Sequence, residues 1–76
     1  MSLWHNPTAT ISVVVDEHTD AYRVRLAIYE DGSPLGSHLV GELWVYETSL
    51  SHLGSIKARL RDMALAMGLP SPEETT

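Results

Sequence analysis

Apolar and polar residues alternate along three stretches in the N-terminal part of the chain. In residues 9–15, ATISVVV, every odd-numbered position is apolar. The same period of two returns in residues 21–30, AYRVRLAIYE, and in residues 38–46, HLVGELWVY. Successive side chains of a strand point to opposite faces, so this period is typical of β-strands. We predict three strands, at about residues 9–16, 20–30 and 37–47.

Two polar segments between these strands favour tight turns. The first is DEHTD and the second is EDGSPLG, which contains the Asp-Gly and Ser-Pro signals of a hairpin. The strands therefore form an antiparallel meander. The alternation places one apolar set on a common face, which we predict to be the core: Ile11, Val13, Val15, Val24, Leu26, Ile28, Leu39, Leu43 and Val45.

A helical period of three and four follows the third strand. It predicts a helix at about residues 50–67 whose apolar stripe is Leu53, Ile56, Leu60, Met63 and Met67. Thr48, Ser49 or Ser51 is expected to cap its start, and Gly54 weakens the first turn or divides the helix there. Gly68 followed by Leu69 is a typical helix stop.

These elements predict one α+β domain over residues 1–76, with a three-stranded antiparallel meander and one C-terminal helix against a single face. Residues 1–7 are expected to be a flexible arm and residues 70–76 a disordered tail. Only the arm, with Leu3 and Trp4, remains to cover the second face of the sheet.

That second face carries aromatic and arginine side chains, which dominate binding hot spots in protein interfaces. We predict that the site consists of Arg23, Arg25, Tyr29, Trp44 and Tyr46. The expected function is non-catalytic binding of a protein partner or of a second copy of the chain. Two alternatives stay open: a small homodimeric regulator that contacts nucleic acid through the sheet, and an ordinary surface on which Trp44 packs over its own strand neighbours.

Composition narrows the possible partners and locations. The chain has 10 acidic and 5 basic residues and a net charge of −5, which disfavours attraction to nucleic acid. It has no cysteine and no run of roughly 20 apolar residues, so we expect no disulfide, no membrane span and a cytoplasmic location.

No motif for catalysis, phosphate binding or a cofactor is visible. The histidines are scattered, and none pairs with another at metal-ligand spacing: His5, His18, His38 and His52. We therefore expect a protein that is not an enzyme and that needs no metal or cofactor.

One short stretch, LAIYEDGS from Leu26 to Ser33, together with small size, acidity and a sheet-plus-helix layout, resembles some phage-encoded anti-CRISPR proteins. The resemblance covers eight residues around a hairpin. It implies a compact inhibitor that occupies a surface of a bacterial defence complex, acting in the cytoplasm of the bacterial host. It does not indicate which residues bind.

Overall fold

The computed structural model describes residues 4–32 and 36–75. The fold is α+β, as predicted, but its sheet has four strands rather than three. The elements in chain order are β1 (Thr8–Asp16), β2 (Ala21–Asp31), β3 (Ser37–Glu47), a 3₁₀ turn (Leu50–His52), α1 (Leu53–Ala66) and β4 (Glu73–Thr75). The turn signal between β2 and β3 includes residues 33–35, which lie outside the described residues.

The sheet order is β3-β2-β1-β4. The β1–β2 and β2–β3 pairs are antiparallel, so the predicted meander is confirmed, and β4 adds a short parallel strand beside β1. Leu26 lies opposite Ile11 on one side and Leu43 on the other. This register also confirms which side chains of β1 and β2 share a face.

The core lies between α1 and the central strands. Its buried residues are Ala9, Ile11, Val24, Leu26, Ile28, Leu53, Leu60, Ala64 and Leu69. Three residues that were predicted to be core are exposed: Val15 at the end of β1, and Leu39 and Leu43 on β3. Because α1 packs against β1 and β2, the helix-side face of β3 is left partly uncovered.

A β-bulge at Val40 explains the misplacement of Leu39. Ile28 pairs with Gly41, but the next residue, Tyr29, pairs with Leu39, so Val40 is an extra residue in β3. One extra residue reverses the alternation beyond it. Leu39 therefore lies on the face of Tyr29, away from α1.

The buried stripe of α1 differs from the predicted stripe near its C-terminal end. Leu53, Leu60 and Ala64 are buried, whereas Met63 and Met67 are exposed. Ala64, with a small side chain, is fully buried in the core cluster. The prediction that Met63 and Met67 lie on the stripe that packs against the core was wrong.

The end of α1 forms the predicted stop. Gly68 has a positive φ of 83°, its N–H donates to the Leu65 carbonyl, and the Leu69 N–H donates to the Ala64 carbonyl. This is a Schellman motif, and it returns Leu69 to the core.

The start of the helical region has no hydroxyl cap of the predicted kind. Ser49 precedes the 3₁₀ turn without a side-chain cap, and its Oγ contacts that of Ser51 at 2.8 Å. Instead, Glu47 Oε1 accepts hydrogen bonds from the N–H groups of Thr48 and Ser49, at 3.0 and 2.9 Å. A carboxylate at the end of β3 thus organises the turn into the helix.

Both ends of the described chain pack on the domain. Trp4 lies against the core cluster and donates its indole N–H to the Met67 carbonyl at 2.8 Å, while the His5 N–H donates to Glu30 at 2.7 Å. Residues 70–76 were predicted to be disordered, but they contain β4, and Glu74 forms an ion pair with Arg61 of α1. No helix in the described ranges has the length and apolar character needed to span a membrane.

Candidate functional site

The five predicted site residues share the sheet face opposite α1. The register places Arg23 opposite Tyr46 and Arg25 opposite Trp44, while Tyr29 lies further along β2, opposite Leu39. On the other side of β2, Val14 of β1 lies opposite Arg23. We call this surface the Trp44 face: Val14, Arg23, Arg25, Tyr29, Glu42, Trp44 and Tyr46.

Two arginines hold the Trp44 ring in place. The guanidinium carbons of Arg23 and Arg25 lie 5.2 and 5.5 Å from the centroid of the indole ring. A cation within about 6 Å of an aromatic ring is attracted by the ring quadrupole. Because both arginines come from the neighbouring strand β2, the antiparallel register itself sets this arrangement.

Arg25 has a second partner in Glu42. Its Nη2 lies 2.7 Å from Glu42 Oε2, and its Nε donates to the same oxygen at 2.8 Å. Arg25 first, and the Trp44 indole second, lower the pKa of the Glu42 carboxyl below its usual value. The hydrogen bond with Glu42 in turn raises the pKa of Arg25. The charge of Arg25 is therefore largely neutralised within the chain.

Arg23 has no such carboxylate among the ion pairs of the described residues. Its Nε is buried and has no hydrogen-bond partner in the described structure. Unpaired buried donors carry a free-energy cost. Arg23 is thus held mainly by its stacking on Trp44, and it is the less compensated cation of the pair.

The centre of the Trp44 face is packed, and its margins are open. Ala27 is fully buried between Thr10 and Glu42, while Tyr46 is 65% exposed and Val14 is 38% exposed. Trp4 lies on the helix side, against Met67. Within residues 4–32 and 36–75, neither α1 nor the N-terminal segment covers this face; Leu3 lies outside the described residues.

Sequence reasoning placed Arg23, Arg25 and Trp44 on one face but did not include Glu42 among the site residues. The available signal was its spacing, since Glu42 precedes Trp44 by two positions and so shares its face. Leu39 was also missed, because the bulge that moves it beside Tyr29 leaves no clear mark in the sequence.

Two further features of the described residues lie outside the Trp44 face. Residues 4–32 and 36–75 contain no group of three or more His, Asp or Glu side chains placed to hold a metal ion. A pocket of about 290 Å³ between β1 and the C-terminal segment is lined by Thr8, Ala9, Thr10, Pro70, Ser71 and Glu73. Glu73 is its single ionisable side chain.

Comparisons of the chain with protein-family models, with curated proteins and with solved structures found no match.

Proposed function

We propose that this protein is a non-catalytic binding domain that recognises a protein partner through the Trp44 face. The observation that carries the proposal is that this face has no cover in the described structure although it displays Trp44, Tyr46 and Arg23. Trp, Tyr and Arg are the residue types most enriched in interface hot spots. An aromatic ring that is already fixed by two guanidiniums loses little side-chain freedom when a partner binds.

The charges of the face favour protein over nucleic acid as the partner. Arg25 is paired with Glu42, so Arg23 is the cation with the least compensation near Trp44. The other basic residues, Lys57, Arg59 and Arg61, belong to α1, on the opposite side of the sheet. A phosphate chain running across the face would meet Glu42 and too few cations to replace its counterions.

Inhibition of a bacterial defence complex is a narrower version of the same proposal. It rests on the resemblance of Leu26 to Ser33 to anti-CRISPR proteins and adds no residue to the site. Identification of the bound protein decides whether the partner is a bacterial defence complex or another protein.

Site-specific photo-crosslinking tests the proposal. A photo-reactive amino acid replaces Val14, which lies on the Trp44 face two strands from the free edge of β3. The matched control carries it at Leu65, which is 48% exposed on α1. In lysate of the cells that naturally produce the chain, we expect a protein adduct at Val14 that is absent at Leu65.

Binding of the crosslinked protein must then be reproduced with purified components. The identified protein is purified and titrated against the wild type, Trp44→Ala and Arg23→Ala. A hot-spot residue contributes at least about 2 kcal/mol, so each variant should lose roughly thirtyfold in affinity. Equal adducts at both probe positions, or an affinity that neither variant changes, would overturn the proposal.

A further inference from the structure

The two edges of the sheet are unlike each other. At one edge, β4 pairs with Thr10, Ile11 and Ser12 in the middle of β1, and β4 is itself short and carries two glutamates. At the other edge lies β3, with 11 residues and no paired strand on its outer side within the described structure. An unpaired edge offers a row of backbone N–H and C=O groups to another strand.

Residues 37–47 contain few of the features that normally protect such an edge. They include no lysine, arginine or proline. Apolar side chains are exposed on both faces of the strand, with Leu43 39% exposed on the helix side and Tyr46 65% exposed on the Trp44 face. The bulge at Val40 interrupts one end, which leaves Gly41 to Glu47 as the regular part of the edge.

We propose that β3 pairs with β3 of a second copy, antiparallel, about a two-fold axis that passes beside Trp44. Trp44 is the midpoint of the regular segment, so this register pairs all seven of its residues. Opposite residues then have position numbers that sum to 88: Trp44 faces Trp44, Leu43 faces Val45, Glu42 faces Tyr46 and Gly41 faces Glu47. The two four-stranded sheets become one continuous sheet of eight strands.

Charge and side-chain complementarity favour this register over its neighbours. A two-fold axis at Glu42 places two carboxylates directly opposite each other, which is destabilising. An axis at Leu43 extends the pairing into the bulge at Val40, and an axis at Val45 leaves Gly41 and Glu42 unpaired. At Trp44, by contrast, Leu43 meets Val45 on the uncovered helix-side face, and the two indole rings meet on the other face.

The inference goes beyond the proposed function because it uses the edge of β3 rather than the surface of the Trp44 face. The second copy occupies the edge, and the face stays open and becomes twice as wide. The two proposals can therefore fail separately. A chain that is monomeric but gives a specific adduct at Val14 loses the dimer and keeps the partner site.

Opposite charges at Tyr46 test the register. Each dimer has two contacts between position 46 and Glu42, so Tyr46→Glu adds two repulsions and Tyr46→Lys adds two attractions. We expect the dimer of Tyr46→Glu to dissociate about tenfold more readily than that of Tyr46→Lys, as measured by sedimentation equilibrium. Within one chain Tyr46 lies opposite Arg23, so Tyr46→Glu is the better tolerated change for the monomer fold.

Single cysteines test the axis, since the chain has no native cysteine. Two copies of Trp44→Cys lie directly opposite each other, at a Cα separation that a disulfide spans. Mild oxidation should therefore link Trp44→Cys into dimers. It should form no covalent link in Tyr46→Cys, although Tyr46 is the more exposed position of β3.

The proposal is overturned by a wild-type chain that remains monomeric up to millimolar concentration. It is also overturned by equal dissociation constants for Tyr46→Glu and Tyr46→Lys, or by equal disulfide formation in the two cysteine variants. Circular dichroism of each variant confirms that it is folded before these results are compared.

Discussion

Leu26 and Trp44 occupy opposite faces of the sheet. Leu26 is 2% exposed in the core, whereas Trp44 stacks on Arg23 and Arg25 on the face away from α1. A buried leucine loses its transfer free energy and leaves a cavity when it is shortened, whereas a surface ring loses mainly its stacking contacts. Leu26 therefore contributes to stability, and Trp44 is the residue to which the proposed function assigns recognition.

Leu26→Ala should lower the free energy of unfolding by about 2–5 kcal/mol. Trp44→Ala should lower it by about 1 kcal/mol, because two cation–π contacts are lost without a buried cavity. Urea unfolding of both variants measures the difference, with Leu65→Ala as an exposed control. A larger loss for Trp44→Ala than for Leu26→Ala would show that the two faces are assigned in reverse.

The ionisation of Glu47 makes the stability of the fold depend on pH in the acid range. Hydrogen bonds from the Ser49 N–H first, and then the nearby His52, lower the pKa of Glu47 below its ordinary value of 4.5. Because the pKa is lower in the folded chain, the stabilisation is fully present above pH 4.5 and is lost as the pH falls through the lowered pKa. We expect Glu47→Gln to flatten the decline in melting temperature in this acid range.

The matched control for Glu47 is Glu17→Gln in the exposed turn between β1 and β2. The melting temperatures of the wild type and Glu47→Gln should differ at neutral pH and become equal as the pH is lowered into the acid range. Parallel curves at every pH would show that the carboxylate does not stabilise the turn.

At the scale of elements, the two glycines at opposite ends of α1 have different roles. Gly68 occupies the left-handed region at φ 83°, where an added Cβ would make only an ordinary contact with Trp4 at 3.9 Å. Gly54 lies in the first turn of α1, where an added Cβ meets nothing within 4 Å. Only position 68 requires glycine.

Gly68→Ala should therefore destabilise the protein by about 1–2 kcal/mol through backbone strain. Gly54→Ala should stabilise it by about 0.5–1 kcal/mol, because alanine restricts the unfolded chain and favours helix. The pair is compared by urea unfolding. Equal effects of the two substitutions would contradict the role of Gly68 in ending the helix.

The alternation of residues predicted the strands well because β1 and β2 are regular and each has one buried side. The prediction was wrong for Leu39, because the bulge at Val40 depends on how β3 aligns with β2 and not on the local pattern. The prediction was also wrong for Met63. The predicted stripe was built from large apolar residues and left out Ala64, which is the buried residue at this point of the helix.

The short strand β4 could not be predicted from its residues. SPEETT has neither alternation nor β-branched residues before its final threonines, and its position comes from pairing with β1 and from the ion pair between Arg61 and Glu74. The residues of the candidate site could be predicted more fully from the sequence than β4 could. The alternation of side chains along the strands placed Trp44 on the same face as Arg23 and Arg25. The stacking distances and the Arg25–Glu42 ion pair depend on the register between β2 and β3.

At the scale of the whole molecule, the net charge of −5 disfavours the binding of nucleic acid. We expect no binding to unrelated DNA or RNA in anisotropy titrations at near-physiological salt, because so few phosphate contacts release too few counterions. Micromolar, salt-sensitive binding that is lost in Arg23→Ala/Arg25→Ala would instead favour the nucleic-acid alternative.

In the proposed dimer, the position of β4 would limit how far copies can assemble. A pair joined through β3 would end on both sides in β4, a short acidic strand beside β1, and growth would stop at two copies. Removing residues 73–76 frees the edge of β1 at both ends of that pair. We expect the truncated chain to grow into fibrils that bind thioflavin T, and Glu74→Gln, which retains β4, to stay dimeric. The four residues 73–76 would then separate a finite complex from an endless polymer.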